Sequence, residues 1–308
     1  MKSPKYKVLA HASCGDGKMA AFLLWKHFKY INREAEFAYV KYNEPPPDVT
    51  GYDVFIVDFS YPKDTIDEMS KVATSITMLD HHLTASQQWG GYIEREYVGG
   101  DQCNVHIILN EHESGALMTY NYLKKFHVMI NGSKSPFTNE RLISIVNAVS
   151  DRDLWEFKLP NTAVITDAVN AFMYKPFEEI DDFVFKLGYK DYAEVLARSA
   201  IAIDVKETMA QQFAKLHQLT TIDGYTVPIV NVPANFASRV GEILNKVHPF
   251  AITYCVGKQG VICSLRSDKV TGIDVSEVAK KLGGGGHLHA SGCLLSMHDL
   301  CRLLNSEL

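Results

Sequence analysis

The sequence predicts an α/β fold in two parts, a doubly wound and mostly parallel sheet followed by a smaller α/β unit. Short apolar runs alternate with helix-period segments along the first part of the chain, as βαβ units require. A stretch without Pro or Gly from Tyr192 to Leu216 predicts one long helix, and a new αβ pattern begins after it. A chain of 308 residues is long enough for two hydrophobic cores. The predicted organisation is an N-terminal domain at 1–190, a linker helix at 191–216 and a C-terminal domain at 217–308.

Each element is predicted from its apolar period and its flanking residues. In the first domain, strands are predicted at Tyr6–Ala10, Glu36–Val40, Val54–Val57 and Ser75–Leu79, and helices at Met19–Tyr30, Pro62–Val72 and Arg141–Val149. In the second, strands are predicted at Val227–Val232, Ala251–Val256 and Val261–Leu265, and helices at Ala237–Leu244 and Val275–Leu282. Parallel strands joined by right-handed crossovers place their carboxyl ends along one edge, where open α/β sheets bind ligands.

Composition narrows the class of protein. Hydrophobic residues make up 46% and charged residues 22%, values typical of a folded globular chain. No apolar run reaches membrane-spanning length, and no signal peptide is recognisable, so no membrane partner is expected. The six cysteines are scattered without a Cys-x-x-Cys pair, which predicts reduced thiols and a cytoplasmic location.

The net charge bears on the substrate. It is -5 at pH 7, whereas proteins that grip long nucleic acid usually carry a basic field. If nucleic acid is the substrate, it is therefore expected to be short.

Polar clusters follow several of the predicted elements. His11–Gly17 follows the first strand, Asp58 the third and Asp80-His81-His82 the fourth, while Asp151-Arg152-Asp153 follows a helix. A single Asp at such a position is usually a turn residue or a helix cap. Two adjacent histidines after an Asp are harder to explain in that way, because imidazole and carboxylate groups together make divalent-metal sites. The clusters are expected to converge, with Asp153 as a partner of Arg152 rather than a ligand.

A fifth cluster is the glycine run Gly283–Gly286 with His287, followed by Ala290-Ser291-Gly292. A flexible linker is one explanation of four glycines, but this run lies between an amphipathic helix and an apolar strand. The favoured interpretation is a backbone that a ligand approaches closely, with peptide N–H groups available to an anion.

These motifs resemble those of the DHH phosphoesterases, in the branch with a DHH-associated C-terminal domain that includes oligoribonucleases. Asp80-His81-His82 matches the signature triplet, and Gly283–His287 with Ala290-Ser291-Gly292 matches the C-terminal signature. The Asp58 strand end, Ser114-Gly115-Ala116 and the segment from Asp151 to Trp155 also resemble the family. The similarity covers nearly the whole chain and keeps the family's motif order.

The resemblance implies a two-metal site in which hydroxide attacks phosphorus. It assigns two divalent ions to six ligands: His11 and Cys14 for one ion, Asp16, His81 and Asp151 for the other, and Asp58 as a bridge. Manganese is the usual ion, with magnesium, zinc or iron as alternatives. His82 is expected to face the scissile phosphate, and Asp80 to orient a neighbouring histidine. The substrate's far end is expected to bind at Arg266, Gly284, Gly285, Gly286 and His287.

Cys14 departs from the family pattern, which has an aspartate before the Asp-Gly pair. A thiolate at this position favours softer ions such as zinc or iron over magnesium. The thiol could also be a bystander. Trp25 and Trp155 are predicted to lie in the core.

The substrate and the assembly stay open at this point. Short oligonucleotides cleaved to 5′-mononucleotides are the favoured substrate, and polyphosphate, bisphosphate nucleotides or cyclic dinucleotides would use the same chemistry. A binding protein with a degenerate site is an alternative of another class. A homodimer is compatible with the sequence but is not specified by it.

Overall fold

The computed structural model describes residues 5–306 except 13, 43, 100–102, 132–134, 173 and 271. It divides the chain into two compact units, one ending at residue 200 and one beginning at 201. The division falls inside the long helix predicted from the absence of Pro and Gly, which spans Tyr189–Ala214. None of the described helices is both long enough and apolar enough to cross a lipid bilayer.

The first unit is built around one six-stranded sheet. Its strands are β1 Lys5–His11, β2 Ala35–Val40, β3 Tyr52–Val57, β4 Ser75–Asp80, β5 Glu94–Val98 and β6 Asn104–Leu109. Its helices are α1 Gly15–Tyr30, α2 Lys63–Ser70, α3 Leu83–Gln88, α4 Gly115–Asn131, α5 Glu140–Asp153, α6 Thr162–Asn170, α7 Phe177–Asp181 and α8 Tyr189–Ala214. The strand order is β2-β1-β3-β4-β6-β5, and every neighbouring pair is parallel except β5 with β6. The predicted doubly wound, mostly parallel sheet is confirmed.

Both faces of this sheet are buried. Val8 and Val57 point to a core that they share with apolar residues of α1, α4 and α5. Leu9 and Ile56, one position along each strand, point to a separate core on the opposite face with Ile66 of α2. Side chains alternate between the faces of a strand, so a strand with both faces covered must be apolar throughout. The continuous apolar runs of β1 and β3 meet this requirement, and β4 meets it except at the buried Thr77.

The second unit contains a mixed sheet. Its strands are β7 Gln218–Ile222, β8 Tyr225–Asn231, β9 Phe250–Gly257, β10 Gly260–Ser267, β11 Gly285–His287 and β12 Ala290–Leu295, in the order β11-β12-β10-β9-β8-β7. Its helices after α8 are α9 Ala237–Asn245, α10 Val275–Lys281 and α11 Met297–Leu304. Among the described strands of this unit, β8 and β9 pair in parallel and the other neighbours pair antiparallel. The predicted smaller α/β unit is therefore present.

The sequence did not predict several elements, among them the apolar strand β6 and the polar edge strand β5. The edge strand β5 reads Glu-Arg-Glu-Tyr-Val and four of its five residues are exposed. Alternating charges protect an edge against pairing with another chain, but they give no apolar period from which a strand could be predicted.

Candidate metal centre

The predicted clusters converge at the carboxyl edge of the first sheet. His11 ends β1, Asp58 follows β3 and Asp80 ends β4. β1, β3 and β4 are consecutive neighbours in the sheet and run parallel, so their carboxyl ends lie side by side. His81 and His82 continue from Asp80 toward α3.

Among the groups of metal-type donor atoms that form there, two share no residue. In each group the donor atoms lie within 4.8 Å of one another; the members are His11, Cys14 and Asp58 in one, and Asp16, His81 and Asp153 in the other. Asp58 faces both groups through different oxygens. Its Oδ2 lies 3.6 Å from Nδ1 of His11, and its Oδ1 lies 3.2 Å from Nε2 of His81. This is the position that a bridging carboxylate requires.

A local backbone feature aims Asp58 into the cluster. The residue has a φ of 53°, in the left-handed region that only Gly, Asn and Asp adopt readily. Gly17 and Gly115 allow close approach beside it. A Cβ at Gly115 would lie 2.5 Å from Cβ of Asp58, and a Cβ at Gly17 would lie 2.6 Å from the carbonyl oxygen of His11. Glycine is therefore required at both positions by space rather than by flexibility.

Asp16 is oriented by the start of α4. Its Oδ1 accepts hydrogen bonds from the Ser114 hydroxyl at 2.6 Å and from the Ala116 amide at 3.1 Å. Its Oδ2 is buried without a hydrogen-bond partner and points toward His81, 3.9 Å from Nε2. The Ser114-Gly115-Ala116 segment therefore holds one carboxylate oxygen and leaves the other directed at the cluster.

The second histidine of the triplet is held in one orientation. Asp80 accepts a hydrogen bond from Nδ1 of His82 at 2.7 Å. A carboxylate is the acceptor in such a pair, so His82 carries a proton on Nδ1 and presents Nε2 on the other side of its ring. The predicted role of Asp80, to orient a neighbouring histidine, agrees with this contact.

The structure corrects the choice between Asp151 and Asp153. The Asp151 carboxylate accepts hydrogen bonds from the amides of Lys158 and Leu159, at 2.8 and 3.1 Å, and from the Thr162 hydroxyl. Asp153 instead places Oδ2 3.2 Å from Nε2 of His81. Residues two apart on a helix lie about 200° apart around its axis, so only one of the two can face the cluster. Asp153 rather than Asp151 therefore faces the donor cluster, and Asp151 holds the loop that follows α5.

Burial and the clustered carboxylates determine the protonation of the site. Burial lowers the pKa of His81, but Asp153, Asp58 and Asp16 outweigh that effect and raise the pKa to about 10. Burial, with Asp58 second, raises the pKa of the Cys14 thiol well above its ordinary value. In this arrangement an imidazolium balances the acidic groups. A divalent cation would replace that proton as the source of positive charge.

The residues present fit a divalent metal. Nδ1 of His11, Oδ2 of Asp16 and Oδ2 of Asp58 are buried atoms without hydrogen-bond partners in the described structure. Buried polar atoms without partners are costly, and all three are nitrogen or oxygen donors of the kinds that bind manganese, iron or zinc.

Tyr42 is a site residue that the sequence analysis missed. Its ring stacks on Phe59 with centroids 4.5 Å apart and lies edge-to-face against His11 and His82 at 5.6 and 6.0 Å. The residue is 42% exposed, so it borders the cluster on the solvent side. Its position after β2, at the same edge as His11, was the only available signal.

The predicted substrate residues of the second unit include one partly buried cation. Arg266 donates to the Ser238 hydroxyl and to the Leu265 carbonyl, both at 2.8 Å, while its Nε is buried without a hydrogen-bond partner. Burial lowers the pKa of the guanidinium to about 10. No carboxylate of the described residues pairs with it, and a partly buried guanidinium without an acidic partner is suited to bind an anion.

The glycine run has a structural explanation of its own. A Cβ at Gly284 would lie 2.0 Å from the carbonyl oxygen of Gly292, and Gly286 has a φ of 142°. Both follow from the close pairing of β11 with β12, in which Gly285 faces Gly292 and His287 faces Ala290. Close packing therefore accounts for Gly284 and Gly286, and the anion-binding role of Gly284–Gly286 and His287 stays a prediction.

Comparison with known proteins gives two relatives of modest identity. The chain is 25% identical over 319 residues to protein R106 of Acanthamoeba polyphaga mimivirus. That alignment covers 94% of this chain and 67% of R106. It is 25% identical over 268 residues to oligoribonuclease NrnB of Bacillus subtilis. That alignment covers 79% of this chain and 59% of NrnB. No family model matches the chain.

Among solved structures, RecJ of Thermus thermophilus in complex with Mn²⁺ has a similar fold. The TM-score is 0.55 at 12% identity, over 98% of this chain and 51% of RecJ. Sequence relatives, fold and motif order agree with one another. The chain is therefore similar to the DHH phosphoesterases, a family of phosphoester hydrolases, in its motif order, its sequence relatives and its fold.

Proposed function

We propose that this protein is a metal-dependent phosphodiesterase that hydrolyses short oligonucleotides to 5′-mononucleotides. The observation that carries the proposal is the position of Asp58, whose two oxygens face two separate groups of donor atoms. Two divalent ions, in our proposal manganese, would supply Lewis-acid charge stabilisation and an activated nucleophile when bound. His11, Cys14 and Asp58 would hold one ion, and Asp16, His81, Asp153 and Asp58 the other.

The protein's own groups then have distinct roles. Ser114 fixes one oxygen of Asp16 so that the other stays directed at the cluster. His82, held by Asp80 through Nδ1, is oriented to donate from Nε2 to a phosphoryl oxygen. Burial lowers the pKa of His82, but Asp80 outweighs that effect and raises it, which favours the protonated, donating form. Such fixed donors stabilise negative charge that grows on phosphate oxygens.

The proposal of a short substrate rests on charge and on the relative. A net charge of -5 gives no broad field for a long phosphate backbone, so a few local contacts must provide the affinity. Arg266 is suited to be one of them. The relative NrnB is named an oligoribonuclease. Free cysteines in the described chain are compatible with the reducing cytoplasm that we propose as the location.

The test of this function is a substrate panel. The protein is treated with a chelator, reloaded with manganese and incubated with dinucleotides, five-nucleotide and twenty-nucleotide strands, a cyclic dinucleotide, a bisphosphate nucleotide and polyphosphate. We expect no hydrolysis without metal and the highest kcat/KM for strands of two to five nucleotides. Arg266→Ala and His287→Ala should raise KM and leave metal stoichiometry unchanged, as expected for lost substrate binding. Faster cleavage of the twenty-nucleotide strand or of polyphosphate would overturn the substrate assignment.

Cys14 tests whether a thiolate completes the first group. If the thiolate binds metal, Cys14→Asp should keep or raise manganese-supported turnover, because it restores the carboxylate usual in the family. Cys14→Ala should weaken one of the two ions by about 10- to 100-fold, the range seen when metal-site partners are removed. Metal content and the affinity of each ion are measured by calorimetry and mass spectrometry. Cys14→Ala with unchanged metal stoichiometry and turnover would show that the thiol does not bind metal. The matched control is Cys103→Ala, which removes a buried cysteine away from the cluster.

A further inference from the structure

The loop that follows Asp153 carries two aromatic side chains that the proposed chemistry does not use. The rings of Trp155 and Phe157 are edge-to-face, with centroids 5.0 Å apart and an interplanar angle of 87°. Phe157 is 43% exposed and Trp155 is partly buried. Neither ring packs into any of the four hydrophobic clusters of the described structure. The prediction that Trp155 lies in the core is therefore wrong, and its place outside the core needs another explanation.

The backbone under both rings is in an unfavourable conformation. Trp155 has a φ of 56° and Phe157 a φ of 50°. Large side chains rarely adopt this left-handed region, because Cβ meets the following carbonyl. Strained residues of this kind persist only where neighbouring contacts enforce them, and they are concentrated at ligand-binding sites.

Asp151 supplies the contacts that enforce this conformation. Its main-chain oxygen accepts hydrogen bonds from the amides of Glu156 and Phe157, at 2.8 and 3.3 Å. Its carboxylate accepts from the amides of the next two residues, Lys158 and Leu159, and from a hydroxyl at the start of α6. The main-chain oxygen and the carboxylate of Asp151 together hold the loop from 156 to 162, which contains Phe157 and directly follows Trp155.

The position of the loop indicates what the rings could bind. Asp153 belongs to the donor cluster, and Trp155 is two residues further on, so their Cα atoms are at most about 7 Å apart. An exposed aromatic surface this close to a phosphodiester site suits a nucleobase, since every base has a π face and stacking tolerates any sequence. Polyphosphate has no ring to stack.

We propose that Trp155 and Phe157 form a stacking surface for a nucleobase of the substrate, and that Asp151 is the positioning residue that holds it. This inference rests on the proposed phosphodiesterase function and adds the substrate class to it. The surface selects nucleic acid over inorganic polyphosphate and does not discriminate between bases.

The experiment compares variants on a dinucleotide and on a matched dinucleotide that lacks one base. Trp155→Ala and Phe157→Ala should each raise KM for the normal dinucleotide by about 5- to 150-fold, the factor that loss of one base–aromatic stack corresponds to, with kcat nearly unchanged. The wild type should bind the dinucleotide that lacks one base about as weakly as the alanine variants bind the normal dinucleotide. Trp155→Phe should recover most of the loss. Equilibrium binding of a non-hydrolysable phosphorothioate dinucleotide gives a readout that does not depend on turnover.

Phe157→Gly separates binding from folding. Glycine relieves the positive φ, so this variant should melt at the same temperature as the wild type or higher, yet bind the phosphorothioate dinucleotide more weakly. A purely structural aromatic pair would give a lower melting temperature and unchanged binding, which would overturn the inference. If the wild type hydrolyses dinucleotides and Trp155→Ala, Phe157→Ala and Phe157→Gly all match it in KM and binding, the stacking surface is wrong and the proposed function stands. If the wild type binds and cleaves only polyphosphate, both the stacking surface and the proposed function are wrong.

Discussion

Replacing Asp58 by asparagine is expected to abolish hydrolysis, with kcat/KM falling by about 10⁴-fold or more. The two oxygens of Asp58 face the two groups of donor atoms, so its loss removes a ligand from each proposed ion. Asparagine keeps the volume of the side chain and tolerates the φ of 53°, so the fold should be retained. Turnover of a dinucleotide, metal stoichiometry and the thermal melting curve are measured together.

The matched control is Asp53→Asn. Asp53 lies near the start of β3, the strand that Asp58 follows, and its carboxylate accepts a hydrogen bond from Ser75 instead of facing the cluster. The control variant should keep both ions and nearly full activity. Asp58→Ala should be equally inactive and also less stable, because alanine lacks the tolerance of asparagine for a positive φ. An Asp58→Asn protein with wild-type turnover would refute the metal centre altogether.

Asp153→Asn and Asp151→Asn are expected to behave in opposite ways. Asp153 lies 3.2 Å from His81 in the second donor group, so its replacement should weaken one ion and lower kcat by about 10³-fold. Burial raises the pKa of the Asp153 carboxyl, so its charge is unfavourable in the metal-free fold. The metal-free melting temperature of Asp153→Asn should therefore not fall, while the stabilisation on adding manganese should shrink.

Asp151→Asn should keep both ions and the manganese-dependent rise in melting temperature. It should instead lower stability by about 1–3 kcal/mol, because the carboxylate accepts hydrogen bonds from Lys158, Leu159 and Thr162 that an amide cannot all replace. If Asp151→Asn lost an ion and Asp153→Asn did not, the assignment from sequence would be right and the correction from the structure wrong. Calorimetric titration with manganese and thermal melts of both variants decide between them.

Much of the fold follows from the sequence because its signals are local. The apolar runs of β1, β3 and β4 are buried on both faces, so they show no alternation and could be predicted from composition alone. The edge strand β5 is polar and exposed, and nothing in its own residues predicts a strand. Its pairing with β6 depends on the rest of the sheet.

The sequence by itself determined which elements bear the chemistry and at which edge of the sheet they meet, because parallel strands bring their carboxyl ends together wherever the chain supplies them. His11, Asp58 and the triplet beginning at Asp80 followed from that rule. Only the tertiary structure decided between Asp151 and Asp153, since the rotation of α5 against the sheet sets which of two acidic residues faces inward. The tertiary structure also placed Tyr42 beside His11 and His82, through contacts that no short-range sequence pattern predicts.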